Sequence, residues 1–269
     1  MDRSGLQPTR TETVQRWHDG RPDESVADVL IDEVPVALEF NGIAYATMLV
    51  TPADLEDFAR GFALTEGIVD SPQQVYGIDI ESTALGIVLH VQIASACAHA
   101  LRVRRRSMAG RTGCGLCGVE SLDQVLRPVA SIAHPPMIAQ GAVLKAQRLM
   151  ATRQPMFKAT GASHAAALAT LDGELIAVRE DVGRHNALDK LIGATAIGEQ
   201  SPKDAMVIVS SRASFEMVQK TLAAGHVALA SVSAPTAMAQ RLALQHNLTL
   251  IGFVRDDRLT VYAGQARVC

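Results

Sequence analysis

Cys114 and Cys117 stand two residues apart in the stretch Arg111-Thr-Gly113-Cys114-Gly115-Leu-Cys117-Gly118, shortly after Arg102, Arg104, Arg105 and Arg106. A thiol attacks only as its thiolate, and nearby guanidinium groups stabilise that anion, so this setting favours a cysteine pKa below the free value of about 8.5. Glycines at 113, 115 and 118 leave the sulfur unshielded and permit positive φ. Residues 107–130 are therefore expected to form a flexible loop that presents sulfur to a partner. A pair with this spacing serves as half of a tetrahedral zinc site, as a disulfide redox couple, or as a sulfur-carrying nucleophile with a helper thiol. Zinc needs two further ligands, yet Cys97 and Cys269 each stand alone. A redox pair of the thioredoxin type follows a strand and opens a helix; this one follows a basic run with helical spacing. An inert pair would rarely sit among glycines and arginines.

Three further stretches carry more polar chemistry than a turn requires. They are Arg179-Glu-Asp-Val-Gly-Arg184-His185-Asn186, Ser210-Ser-Arg212-Ala-Ser214-Phe-Glu216 and Ser231-Val-Ser-Ala-Pro-Thr236. Ser211, Arg212 and Ser214 at a helix start offer hydroxyls, a guanidinium fork and free backbone N–H groups, a set suited to phosphate or pyrophosphate. Ser214 acting as an ordinary helix cap accounts for part of the same pattern. Arg184 and His185 show a similar duality, with Asn186 able to cap. His164, before an apolar strand, is placed as an acid or base or as a structural histidine. No metal-ligating set is legible beyond the cysteine pair, and no resident metal is expected.

The totals narrow the class. A chain of 269 residues, 48% apolar and 20% charged, buries a sizeable core as one large domain or two smaller ones. The formal net charge of −3 argues against general nucleic-acid binding. Four cysteines, two of them isolated, are no disulfide framework and point to a reducing compartment, the cytoplasm. The N-terminus lacks the apolar core of a secretory signal, and no apolar run reaches the roughly 18 residues of a membrane span.

The elements that must position these residues follow from periodicity. Residues 1–12 read as a polar tail. Two apolar runs over 34–50 flank Asn41-Gly42, a hairpin signal. Residues 51–67 read as a helix with Thr51 as N-cap, Pro52 at the first position and Leu55, Phe58, Ala59 and Phe62 buried. Alternation gives strands over 75–81 and 85–93, and helical spacing over 95–106 makes Cys97 a packed apolar group. This defines a small α+β domain over 13–106. Beyond the loop, a helix is expected over 138–150, a hairpin over 164–179, and helices over 186–196, 214–224 and 236–246. These alternate with strands over 205–210, 227–233, 248–254 and 259–262. The βαβαβ run with short turns predicts a three-layer α/β domain over 131–269, whose ligands gather at the carboxyl ends of strands.

The suggested sheet order resembles that of cytidine deaminases. Their zinc chemistry needs a Pro-Cys-x-x-Cys pair at the second of two helix starts, and Ser211-Arg-Ala-Ser214 holds none, so deaminase catalysis is not expected. Taken together, Arg104-Arg-Arg-Ser-Met-Ala-Gly-Arg-Thr-Gly-Cys114-Gly-Leu-Cys117-Gly118, Gly161-Ala-Ser-His164-Ala-Ala-Ala167, Arg179-Glu-Asp-Val-Gly-Arg-His-Asn-Ala-Leu-Asp-Lys190, Ser210-Ser-Arg-Ala-Ser-Phe-Glu-Met-Val-Gln-Lys220 and Ser233-Ala-Pro-Thr236 resemble the FdhD/NarQ family of formate dehydrogenase accessory sulfurtransferases. The motifs occur in order across most of residues 34–262.

That resemblance implies a sulfur carrier. It would accept sulfane sulfur from a cysteine desulfurase and hand it to the molybdenum bis-guanine-dinucleotide cofactor, bound as substrate, before insertion into formate dehydrogenase. By motif position Cys114 matches the persulfide-carrying cysteine and Cys117 the second thiol. The cofactor-contacting segment matches Phe253, Val254, Arg255, Asp256, Asp257 and Arg258, to which the residue reading adds Arg184, His185 and Arg212. The resemblance further implies a deaminase-like C-terminal fold and a homodimer. The alternative is a non-catalytic chaperone that binds the cofactor and uses its cysteines as a zinc or redox clip.

Overall fold

The computed structural model describes residues 6–108, 128–197 and 204–269; Cys114, Cys117 and most of the expected loop lie outside the described residues. Three sheets organise what is described. The first is an antiparallel hairpin of β1 (Thr9–His18) and β2 (Arg21–Ile31). Its two-residue turn, Asp19-Gly20, has positive φ at both positions, which matches the right-handed twist of paired strands. Residues 9–12, expected in a tail, belong to this ribbon. Threonines alternating with charged residues fit a strand exposed on both faces, which has no apolar alternation to announce it, and an Asp-Gly turn closes the pair.

The second sheet has the order β4-β3-β6-β5. Strands β3 (Val34–Phe40) and β4 (Ile43–Val50) form the expected hairpin around Asn41-Gly42, both at positive φ. Strand β6 (Gly86–Ile93) lies parallel to β3 and antiparallel to β5 (Val75–Thr83). Helices α1 (Leu55–Thr65) and α2 (Ser95–Met108) cover one face. Leu55, Phe58, Ala59 and Phe62 are buried there as the periodicity predicts, and Cys97 packs with them.

The third sheet, β12-β11-β10-β9-β7-β8, is the middle of the expected three-layer α/β architecture. Strands β9 (Ala205–Val209), β10 (Ala228–Ser231) and β11 (Thr249–Arg255) are parallel, while β7 (His164–Thr170), β8 (Leu175–Asp181) and β12 (Arg258–Ala263) join antiparallel. One face packs under α3 (Gln140–Thr152), next to the short α4 (Pro155–Thr160). The other packs under α5 (Arg184–Thr195), α6 (Phe215–Ala223) and α7 (Ala237–Gln245). All-apolar strands such as Ala205–Val209 are the sequence form of a strand covered on both sides.

The α1 helix of the smaller unit lies directly on α5 of the larger one. Two glycines permit this closeness. A Cβ at Gly61 would overlap the backbone carbonyl of Asp189, and one at Gly193 would overlap that of Asp57. Beside this crossing, the Lys220 ammonium donates to Asp189 Oδ1 and Oδ2 (2.9 Å each), Glu66 Oε1 (3.0 Å) and Thr65 Oγ1 (2.9 Å), and the Thr65 hydroxyl donates to Asp189 (2.7 Å). Burial pushes the Asp189 carboxyl up while Lys220 pulls it down. Burial likewise works against the Lys220 charge, but Asp189 and Glu66 outweigh it and hold the ammonium above its ordinary range. With four acceptor contacts around one cation, the charged lysine is the state this geometry fits.

Two outcomes test this packing. Gly61→Ala should lower the unfolding free energy by roughly 1–3 kcal/mol or more, whereas Gly141→Ala in α3, where a methyl meets nothing within 4 Å, should leave it unchanged or raise it by up to about 1 kcal/mol; urea denaturation reads both. His226 is buried, and that burial pushes its pKa down to about 4 from an ordinary 6.5. Between those values the unfolded chain binds a proton that the native state refuses, so stability is full above about 6.5 and falls as pH drops toward about 4. The accumulated loss is roughly 3 kcal/mol, and His226→Gln should abolish this component in denaturation curves collected across that window.

Candidate functional site

The parallel strands β9, β10 and β11 end on one edge of the large sheet, and the antiparallel β7 begins there. The β7 start and the β9 end are joined twice: the Ser210 N–H donates to Ala165 O (3.0 Å), and Ala165 N–H donates to Ser210 Oγ (2.9 Å). This places His164 beside the β9–α6 turn. A cavity of about 500 Å³ opens at this edge, lined by Met150, Gln154, Phe157, His164, Ser210 and Val232 among others. Its size suits a small organic ligand, and its wall mixes apolar faces with amide, hydroxyl and imidazole groups.

Titratable groups converge near the same edge. His164 is half-buried; burial first, then the charge of Arg184, and then His185 lower its pKa against the opposing pull of Asp181. It is therefore neutral at pH 7 and able to accept or donate through a ring nitrogen. At the α5 start, His185 Nε2 sits 2.7 Å from Glu216 Oε2 at the α6 start. The contact is short but poorly directed, since that nitrogen has no well-aligned hydrogen bond. His185 nonetheless holds the Glu216 carboxyl below the ordinary carboxylate range. Ser214 occupies the N-cap position of α6 without capping it, and its Oγ and Arg184 Nε are buried with no hydrogen-bond partner among the described residues. The cap reading of Ser214 is thus replaced by a buried hydroxyl without a partner among the described residues.

Most of the charged residues in the stretch 179–190 do a different job from Arg184 and His185. Lys190 Nζ lies 2.7 Å from Asp181 Oδ2, both side chains being fully buried, and donates to Thr51 O at 2.9 Å. Asp181 also accepts from the N–H groups of Thr51 and Gly183 and from the Asn186 amide (2.8–3.0 Å). Thr51 Oγ1 in turn accepts from Val182 N–H. Thr51 is therefore consumed by the junction between the two units, and α1 starts at Leu55 rather than at Pro52 as its sequence suggested. Arg179 pairs with Asp57 of α1 (2.8 and 3.0 Å). Buried Glu180 accepts from Met156 and Phe157 N–H and from Ser163 Oγ, seating α4 so that Phe157 reaches the cavity.

The stretch 253–258 divides. Phe253 is exposed at a positive φ of 52°, where β11 slips register before Arg255. Arg255 bends over the end of β10, with Nε donating to Val232 O at 3.0 Å. Arg212 is exposed after β9. The Val254 side chain is fully buried in the core under α3. Asp256 and Asp257 form the turn between paired Arg255 and Arg258, and Arg148 and Gln140 of α3 bind their backbone carbonyls. The edge and cavity hold His164, Arg184, His185, Ser210, Arg212, Phe253 and Arg255 from the sequence reading and add Met150, Gln154 and Phe157. Gln154 and Phe157 carry no motif; only the position of α4 brings them in. Among the described residues no three His, Cys, Asp or Glu side chains gather as a metal site, and no helix is long and apolar enough to cross a membrane.

Residues 31–269 match the FdhD/NarQ family. The chain is 56% identical over 242 residues to the sulfur carrier protein FdhD of Bordetella bronchiseptica, covering 90% of this chain and 88% of that one. It is 50% identical over 262 residues to the sulfur carrier protein FdhD of Cupriavidus necator, covering 96% and 89%. Its fold is that of a crystal structure from Desulfotalea psychrophila described as a formate dehydrogenase accessory protein, with a TM-score of 0.75 at 20% identity over 98% of this chain and all of that one.

The buried pair that holds the Arg184-His185 turn can be tested by itself. Lys190→Met leaves the Asp181 carboxylate buried without its counter-ion, and urea denaturation should show a loss of roughly 3–5 kcal/mol. Exposed Arg212→Met should change the same measurement by less than about 0.5 kcal/mol.

Proposed function

The chain belongs to the FdhD/NarQ family, and from that footing we propose that it is a sulfur carrier acting in the cytoplasm in formate dehydrogenase maturation. The observation that carries this reading is identity of 50–56% across nine-tenths of the chain or more with proteins named sulfur carriers. In this reading the Cys114 thiolate attacks the outer sulfur of a persulfide on a cysteine desulfurase. The donor S–S bond breaks, the desulfurase leaves as a thiolate and takes up a proton, and Cys114 becomes the persulfide. No net oxidation occurs in that step.

Release uses the second thiol. Cys117, as thiolate, attacks Cys114 Sγ; the terminal sulfur departs as hydrosulfide while a Cys114–Cys117 disulfide forms. The two electrons gained by the departing sulfur come from the two cysteines, and a cellular dithiol then reduces the disulfide. The acceptor is the molybdenum cofactor in its bis-guanine-dinucleotide form, a substrate rather than a resident group. Arg184, Arg212 and Arg255 supply cations for its phosphates, the α6 start supplies backbone donors, and Phe253 supplies an aromatic face. The cavity beside His164 has the size and mixed walls to take a heterocycle. The same reading makes the protein a homodimer that meets formate dehydrogenase after loading.

Incubation with a cysteine desulfurase and cysteine, followed by mass spectrometry of the peptide holding residues 111–118, should show a gain of about 32 Da, one sulfur atom. The adduct should vanish in Cys114→Ala and persist longer in Cys117→Ala. An unmodified peptide with stoichiometric zinc would instead favour a cofactor-binding chaperone.

A further inference from the structure

Three helices end on one small cavity at the junction of the two units. It measures about 160 Å³, and in its wall Leu64 of α1, with Asp70 and Pro72 beyond it, meets Ile192 and Thr195 of α5 and His226 after α6. Helices α5 and α6 begin at the edge that carries Arg184 and Glu216 and finish here. The cavity is therefore one length of α5 away from that edge, about 18 Å for its 12 residues.

The polar groups in this wall call for a donor. The Thr195 hydroxyl gives its proton to Leu191 O (2.9 Å), which leaves only lone pairs. The Asp70 carboxylate is exposed at the rim, without an ion-pair partner among the described residues. His226 is only 3% exposed, and its ring has no hydrogen bond among the described residues. A buried polar ring without a partner is uncommon in a native protein. Burial keeps that ring neutral, so one nitrogen retains a bare lone pair. The helix ends add a field of the same sign, since the last carbonyls of a helix carry roughly half a negative charge. Neither α1 nor α5 has a basic residue in its last turn, and Lys220, in the last turn of α6, directs its ammonium to Asp189, Glu66 and Thr65.

The rest of the wall selects the kind of cation. Zinc takes a set of four ligands, and among the described residues no three His, Cys, Asp or Glu side chains gather. Leu64, Pro72 and Ile192 instead offer apolar surface beside the acceptors. An alkylammonium carries three N–H donors on an apolar stem. The volume, room for about five waters, holds the stem to a few carbons. We propose that this cavity is a binding site for a small aliphatic amine in its ammonium form, held by Asp70, Thr195 and His226 with its stem against Leu64, Pro72 and Ile192. Its wall comes from both units, so occupancy ties them together. The site is independent of the sulfur chemistry.

The probe is n-butylammonium chloride, with butyrate and 1-butanol as anionic and neutral matches of its stem. At about pH 8 the amine is charged and the histidine neutral. Under those conditions the full-length protein should bind n-butylammonium saturably in calorimetry, with a thermal midpoint that climbs as ligand is added. In nitrogen-15 NMR spectra the ring signals of a single histidine should move, and they should be the signals missing from His226→Leu. Butyrate and 1-butanol should produce neither effect at the same concentration. His226→Leu, which fills the position with an apolar side chain, and Asp70→Asn, which alters only the rim, should each weaken n-butylammonium binding roughly tenfold. The proposal is overturned by the lack of saturable n-butylammonium binding up to about 50 mM, by equal binding of 1-butanol, or by binding that leaves every histidine ring signal in place. Binding that Asp70→Asn leaves unchanged overturns it too, and that arm stands even if His226→Leu does not fold.

Discussion

The structure hangs on a buried charge placed where two units meet. Lys190 and Asp181 have no access to water, and each alone would be an unpaired ion in a medium of low polarizability. Together with Thr51 they satisfy one another through backbone and side-chain groups drawn from both units. Such a pair gives modest net stability relative to apolar packing, but it admits very few geometries, because any slip strands a charge. Its close neighbour, Lys220 among Asp189, Thr65 and Glu66, repeats the arrangement one helix away. The glycine crossing of α1 and α5 brings the backbones near enough for both sets to close.

That constraint reaches the site through short covalent distances. Asp181 is followed by Val182 and Gly183, whose N–H groups are fixed by Thr51 and by Asp181 itself, and Arg184 and His185 come next. Lys220 lies one turn beyond Glu216 on α6, the carboxylate that faces His185. The edge of the large sheet is thus framed by two helix starts, each anchored by a lysine buried behind it. Glu180 does the same for the other side of the cavity by seating α4. Rigid support of this kind holds the polar groups in front of it in fixed positions.

Much of this was legible in the chain. Apolar alternation gave the strands of both larger sheets, Asn41-Gly42 gave the β3–β4 turn, and the βαβαβ rhythm gave the parallel centre and the edge along which Arg184, Arg212 and Arg255 are spread. The residues read as chemically unusual were mostly found at functional-looking junctions, but their roles were divided only by burial. Asp181, Asp189, Lys190 and Lys220 sit within motifs rich in polar groups and look no different in sequence from Arg184 or His185. Thr51-Pro52 carried every local mark of a helix start, and lost that role because three tertiary partners, Asp181, Val182 and Lys190, bind its backbone and hydroxyl.

What the sequence determined by itself is whatever depends on near neighbours along the chain: periodicity, turns with positive φ, and the spacing of Cys114 and Cys117. What only the tertiary structure decided is which polar groups face each other from positions more than a hundred residues apart, as Thr51 does with Asp181 and Asp57 with Arg179. Desolvation is the reason. A charge reads the same in any sequence window, and becomes an anchor or a ligand contact only when folding sets how much water is left beside it.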